Sequence, residues 1–141
     1  MKSHRIQLKG PWDYEWKTVV VDGLEPASQS GTVTMPRDWQ SIFGDRSGTA
    51  EFRRKFHRPS NLESHETVIL NFTEIRGLVA VWLNRDQLRE FNRNGPAVEF
   101  DVTSLLKEFN ELRVEIGFNP QSEPDVSGGL CGLVGLDIRW E

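Results

Sequence analysis

LVAVWLNRDQLREFNRNGPAVEFDVT, residues 78–103, opens with six apolar side chains in a row and turns polar at Asn84. Val79 and Val81 are β-branched and Trp82 carries an indole. So short a run, closed by Asn84-Arg85-Asp86, reads as a strand buried on both faces that ends in a tight turn. A polar connector with one Gly-Pro pair follows. Val98 to Asp101 then reads as a return strand. Residues 102–107 read as one or two helical turns opened by Asp101 or Thr103. Strand, return strand and capped turn are expected to pack onto one sheet.

The flanking segments carry the same signature. Residues 66–75 alternate, with Val68, Leu70 and Phe72 inward and Ile69, Asn71 and Thr73 opposite, and Arg76-Gly77 is expected to turn the chain into the strand that follows. Residues 111–118 repeat the device, Leu112, Val114, Ile116 and Phe118 inward, Arg113 and Glu115 outward. In residues 49–59, TAEFRRKFHRP, period two places Phe52, Arg54 and Phe56 on one face and Glu51, Arg53, Lys55 and His57 on the other. An arginine on the apolar side needs a partner, and Asp101 is the expected one. Residues 12–16 alternate aromatic with acidic side chains, a half-buried strand. Short β-prone runs at 18–21 and 32–35 and a closing strand over 133–140 complete the pattern. Residues 40–47 and 119–129 read as loops, the latter with two prolines and two adjacent glycines. The expectation is one domain, residues 1–141: an antiparallel β-sandwich of eight or nine strands with one or two helical turns.

A chain of 141 residues is too short for two ordinary domains. Lys and Arg number 17 against 21 Asp and Glu, a net charge of -4 without a basic run, so no nucleic-acid partner is expected. The one cysteine, Cys131, excludes an internal disulfide framework and a cysteine-rich zinc site, and reads as a small buried apolar side chain. No stretch approaches a membrane span, so no membrane partner is expected. The N-terminal residues lack the apolar core of a signal peptide, which gives a cytoplasmic location as the expectation. Asn71-Phe72-Thr73 is a formal glycosylation sequon, but it lies in an expected strand.

Several of these segments resemble one family. Val81-Trp82-Leu83-Asn84, a following leucine, and Glu99-Phe100-Asp101-Val102-Thr103 before two leucines are similar to the N-terminal sugar-binding domain of family-two glycoside hydrolases, which include β-galactosidases and β-glucuronidases. Met35-Pro36-Arg37-Asp38-Trp39, the Arg53-Arg54 strand and the aromatic opening strand fit the same pattern. The resemblance implies a jelly-roll sandwich of the galactose-binding-domain type. It also implies that hydrolysis belongs elsewhere, because the family's catalytic carboxylates come from a separate barrel domain. Asp125 is the nearest match by position to an acidic residue that the family's last loop sends towards that barrel. Three departures stand out: Arg85 replaces the glycine of the Trp-Leu-Asn turn, Arg93-Asn94 replaces a glycine pair, and Cys131-Gly132 replaces an aromatic and an arginine. The first two imply turns rebuilt with bulkier residues, and the loss in the closing segment suggests a domain no longer docked to a barrel.

The three histidines, His4, His57 and His65, stand outside any triad or metal-binding spacing and read as surface side chains. No cofactor is expected, and no dense carboxylate loop points to calcium. Sugar recognition needs an aromatic face for the pyranose and polar groups for its hydroxyls. The candidate ligand surface is therefore Trp39 with Arg37 and Asp38, the Arg93-Asn94 connector, and Asp125. Each has a plainer reading: Trp39 as a plug at the bottom of the sandwich, and Arg93-Asn94 as a solvated turn. Trp12, Trp16, Trp82 and Trp140 read as core or sheet cover. The leading expectation is a non-catalytic carbohydrate-binding module. The alternative is a protein-interaction or structural module that pairs with a protein partner through a sheet face or edge.

Overall fold

The computed structural model describes residues 2–17, 29–95 and 97–141. In chain order it contains β1 Lys2–Gln7, β2 Trp12–Trp16, β3 Ser30–Val33, α1 Trp39–Phe43, β4 Gly48–His57, β5 Thr67–Phe72, β6 Ile75–Leu83, β7 Asp86–Gly95, β8 Val98–Asp101, β9 Phe109–Phe118 and β10 Val134–Trp140. The strands form two sheets, ordered β1-β10-β5-β8 and β3-β2-β4-β9-β6-β7. Every strand pair is antiparallel. From β4 to β10 every connection crosses between the sheets except the β6–β7 hairpin, which is the wiring of a jelly roll. The expected all-β sandwich is the observed one.

Alternation explains the core. Phe52 of β4, Val68, Leu70 and Phe72 of β5, Val79 and Val81 of β6, Leu112, Val114 and Ile116 of β9, and Leu136 of β10 are all buried between the sheets. Period two along each strand puts their neighbours outside. At one end Trp16, Trp39, Phe43 and Phe118 close the sandwich, with ring centroids of Trp39 and Phe43 4.7 Å apart.

Several local expectations give way. Strand β6 alternates instead of being buried on both faces: Leu78 is 64% exposed, and Ala80 and Trp82 are half-buried. An unbroken apolar run hides the pleat, because Leu78 and Trp82 look like core until their strand neighbours are known. The supposed polar connector is β7, an edge strand paired only with β6 among the described strands, and this raises the count to ten. An edge strand with one solvated face has little apolar periodicity to betray it. The chain enters β6 through a bend at Thr73-Glu74, and Arg76-Gly77 lie inside the strand. Residues 40–47 are not wholly irregular, since α1 occupies their start. After β8 the expected turn is a single one, opened by Asp101 and not extended into a helix: Asp101 Oδ1 accepts the Thr103 N–H at 3.0 Å, and the Val102 carbonyl accepts the N–H groups of Leu105 at 2.9 Å and Leu106 at 3.2 Å. The run at 18–21 lies outside the described residues.

The hairpin turn shows how a departure from glycine is accommodated. Asn84 takes the positive φ of 56° that the two-residue turn needs, a conformation asparagine tolerates better than most residues. Its side chain is then locked: Oδ1 accepts the Glu111 N–H at 2.9 Å and Nδ2 donates to Asn110 at 3.1 Å.

Candidate functional site

Two regions can present groups to a ligand. The first is the end of the sandwich where most of the sequence-predicted residues fall. The Arg37 N–H donates to the Leu130 carbonyl at 3.1 Å and the Trp39 N–H to the Gly128 carbonyl at 2.9 Å. Gln40 Nε2 reaches the Val126 carbonyl at 2.7 Å, tying α1 to the 119–130 loop that carries Asp125. Gly129 exchanges both backbone hydrogen bonds with Arg76, at 2.9 and 3.0 Å, and Arg76 is opposite Asn94 across β6 and β7. Thus Arg37, Asp38, the Asp125 loop and the Arg93-Asn94 backbone converge on one end of the molecule.

Trp39, Arg37, Asp38 and Asp125 do not build an aromatic platform there. Trp39 is fully buried, its indole N–H donates to the Arg46 carbonyl at 2.8 Å, and its ring packs among Trp16, Phe43 and Phe118. It is the plug of the sandwich, and its ring offers no stacking face to solvent. Arg37 and Asp125 are exposed, and Asp38 is half-buried and accepts the hydroxyl of Ser41. Arg76 is held by the Ser127 carbonyl at 3.0 Å and by Glu74 at 3.3 Å. Cys131 is half-buried beside the Glu74 carbonyl, and burial pushes its thiol above the ordinary value. Arg54 does not meet Asp101, whose carboxylate is taken by Thr103; its guanidinium donates to the Lys55 carbonyl instead.

The second region was not read from the sequence. On the outer face of the six-stranded sheet, register aligns residues into rows. One row runs Glu15, Glu51, Glu115, Ala80, Glu90 across β2, β4, β9, β6 and β7. The row on one side runs Asp13, Arg53, Arg113, Trp82, Gln87, and that on the other Thr49, Gly117, Leu78, Asn92. Gly117 and Ala80 lie diagonally on adjacent strands and leave a trough. The result is a hollow of about 190 Å³ lined by Thr49, Leu78, Val79, Ala80, Glu90, Glu115 and Gly117. Arg113 stacks over the adjacent Trp82, its guanidinium carbon 4.2 Å from the ring centroid. The signal for this site lay in Glu115, correctly expected to face outward. Its partners were hidden because β6 read as wholly buried and β7 as a connector.

A shallower recess of about 370 Å³, lined by His65, Thr67, Arg139, Trp140 and Glu141, lies beside the four-stranded sheet. Its arginine is already committed, to Glu99 at 2.6 Å and Asp137 at 3.3 Å. Among the described residues no group of three or more His, Cys, Asp or Glu is placed to hold a metal ion, and no helix is long and apolar enough to cross a membrane.

The fold has counterparts among solved structures. A Bacteroides fragilis protein assigned as a β-galactosidase superposes with a TM-score of 0.76 at 18% identity, over 99% of this chain and 24% of its own. A β-glucuronidase from an uncultured Clostridium gives 0.77 at 19% identity, over 99% and 29%. A Ruminococcus gnavus β-glucuronidase, crystallised with uronic isofagomine, gives 0.74 at 18%, over 96% and 28%. The chain therefore spans between about a quarter and three tenths of the length of these proteins. No curated protein matches it in sequence. Residues 37–126, however, match the glycosyl hydrolase 2 galactose-binding domain-like family, and that span holds α1, β4 to β9 and both walls of the hollow. The chain belongs to the galactose-binding domain-like family of glycosyl hydrolase 2.

Proposed function

We propose that this domain is a non-catalytic carbohydrate-binding module whose ligand lies in the hollow on the six-stranded sheet. The observation that carries the reading is the lining itself. Leu78 offers an exposed apolar surface for the C–H face of a pyranose, and Glu90, Glu115 and Thr49 offer polar atoms for hydroxyls. The hollow suits a single sugar ring, and the open sheet around it leaves room for a chain to continue in either direction.

Hydrolysis fits the same geometry poorly. A glycosidase needs one carboxyl group kept protonated, hence a raised pKa, opposite a second that stays ionised. The displaced carboxylates here, Glu99, Asp101 and Asp137, are all shifted downward by hydrogen bonds from Arg139, Thr103 and Arg5 respectively. The carboxylates of this face lie in rows on an exposed sheet instead of facing each other across a cleft.

The end formed by Arg37, Asp38, Asn94 and Asp125 is the second location for the same ligand, favoured by the exposure of Arg37 and Asp125. Titration of intrinsic fluorescence with galactosides, glucuronides, mannosides and short polysaccharides separates the two, since half-buried Trp82 borders the hollow. A saturable change that Ala80→Phe abolishes and Arg37→Ala with Asp38→Ala leaves intact locates the ligand on the sheet. The reverse pattern locates it at the loop end. A second reading, a protein-interaction module, rests on the ten-residue edge strand β7 and on the exposure of Leu78 (64%) and Phe109 (66%) on one face. Silence across the whole panel transfers the weight to it.

A further inference from the structure

The charges around the hollow are not balanced evenly, and the imbalance names a ligand class. Of the four glutamates in the central row, two are served by cations. Glu51 is met by Arg113 at 3.3 Å, Arg53 at 3.5 Å and Lys17 at 3.6 Å, and Glu15 by Lys17 at 3.7 Å and Arg53 at 4.0 Å. The other two are the ones that line the hollow. Glu90 accepts only the neutral Gln87 amide, at 2.9 Å, and Glu115 has neither hydrogen-bond nor ion-pair partner among the described residues. The guanidinium of Arg113, two residues from Glu115 on β9, is engaged elsewhere, paired with Glu51 and stacked on Trp82.

The two carboxylate-bearing strands flank β6, so Glu115 and Glu90 stand on either side of Ala80, their Cα atoms roughly 9–10 Å apart by the spacing of sheet strands. Ala80, the small residue between them, leaves the space above it open. Glu115 is half-buried beside Glu51, directly opposite in register, an arrangement in which like charges cost stability unless a cation intervenes. Leu78, one row away, supplies the apolar wall.

From this arrangement, and resting on the carbohydrate reading, we infer that the hollow selects sugars bearing a free ammonium group: glucosamine-type residues seated with the ring against Leu78 and the ammonium over Ala80, between Glu115 and Glu90. A neutral or N-acetylated sugar satisfies the hydroxyl acceptors but leaves both charges uncompensated. An anionic sugar is repelled.

Isothermal titration of the full chain at pH 6 and low salt, with a six-unit glucosamine oligosaccharide, its N-acetylated counterpart and a neutral glucan of equal length, tests the inference. The amino oligosaccharide is expected to bind about tenfold tighter than the other two, as one charge-assisted contact warrants. Glu115→Gln removes most of that preference, with the sheet unchanged by circular dichroism because the substitution is isosteric and half-exposed. Glu63→Gln, on an exposed loop, is the control for attraction to the protein's overall negative charge. Equal binding of neutral and amino sugars overturns the inference and leaves the carbohydrate reading standing. So does an equal loss of affinity in Glu63→Gln and Glu115→Gln. Absence of binding to all three oligosaccharides overturns the inference, and the galactoside, glucuronide and mannoside panel then decides the carbohydrate reading by itself.

Discussion

Arg54 shows what a single misplaced charge does inside a sandwich. It points to the inner side of β4 between Phe52 and Phe56, where period two requires an apolar side chain. Its Nε is sequestered from water without a hydrogen-bond partner, while the end of the guanidinium reaches only the Lys55 carbonyl. An unpaired buried donor costs about 1–3 kcal/mol, so Arg54→Met, which keeps the stem and removes the donor, is expected to stabilise the fold by about 1 kcal/mol. A raised urea midpoint at unchanged slope is the signature, and a lowered midpoint refutes this reading of Arg54. Trp39 is the opposite case. Removing a fully buried indole that packs on three rings costs about 3–5 kcal/mol, so Trp39→Ala is expected to unfold at a much lower temperature. Loss of ligand binding in that variant would therefore say nothing about contact with a sugar.

At the scale of elements, the strand that reads most clearly from the sequence is also the one whose environment is least legible. The apolar run at 78–83 identifies β6 at once, yet an isolated run cannot say which side chains face a second sheet. Leu78 and Val79 have similar hydropathy and opposite fates. Strands β5 and β9 alternate in sequence, and their inward residues are read correctly one by one. The β7 edge has no such contrast, so half of the hollow went unseen. Glycine in β6 is a further constraint the pattern does not announce. Gly77 has φ 127°, and a Cβ placed there would lie 2.6 Å from the Gly117 carbonyl oxygen and 2.9 Å from Ile116 Cγ2. Strain of this kind costs about 1–3 kcal/mol before any clash is relieved. Gly77→Ala is expected to lower the midpoint of thermal unfolding accordingly. Because β6 carries the floor of the hollow, ligand affinity should fall with it, whereas Gly44→Ala, with open space around the Cβ but φ 65°, should cost stability alone.

Across the whole molecule the two outer sheet faces are finished differently, and the ion-paired one makes stability depend on pH. On the four-stranded sheet Asp137 is buried beneath a fork from Arg5, Nε at 2.5 Å and Nη2 at 3.0 Å, and Arg139 bridges Asp137 to Glu99, which also accepts from Asn71 at 3.0 Å. Hydrogen bonds from Arg5 hold the Asp137 carboxyl below its ordinary value, and those from Arg139 do the same for Glu99. A carboxylate whose pKa is lower in the folded state stabilises that state fully above its unfolded pKa and ceases to do so as pH falls through the folded one. Stability from this network should thus be flat near neutrality and decline from about pH 4.5 downward, the ordinary value of a free glutamate, with Asp137 following below 3.8. Chemical denaturation between pH 7 and pH 3 tests this. Asp137→Asn is expected to be less stable by about 2 kcal/mol at pH 7, the worth of a charge-assisted fork, and to lose less than wild type on acidification. A variant that loses as much as wild type would mean that the acid sensitivity arises elsewhere. The glutamates of the hollow stand outside any such network: among the described residues no cation pairs with Glu115 or Glu90, and Glu90 accepts only the Gln87 amide. One face thus ties the four strands of its sheet together through ion pairs and the Asn71 amide, and the other carries the unpaired carboxylates on which the proposed ligand site rests.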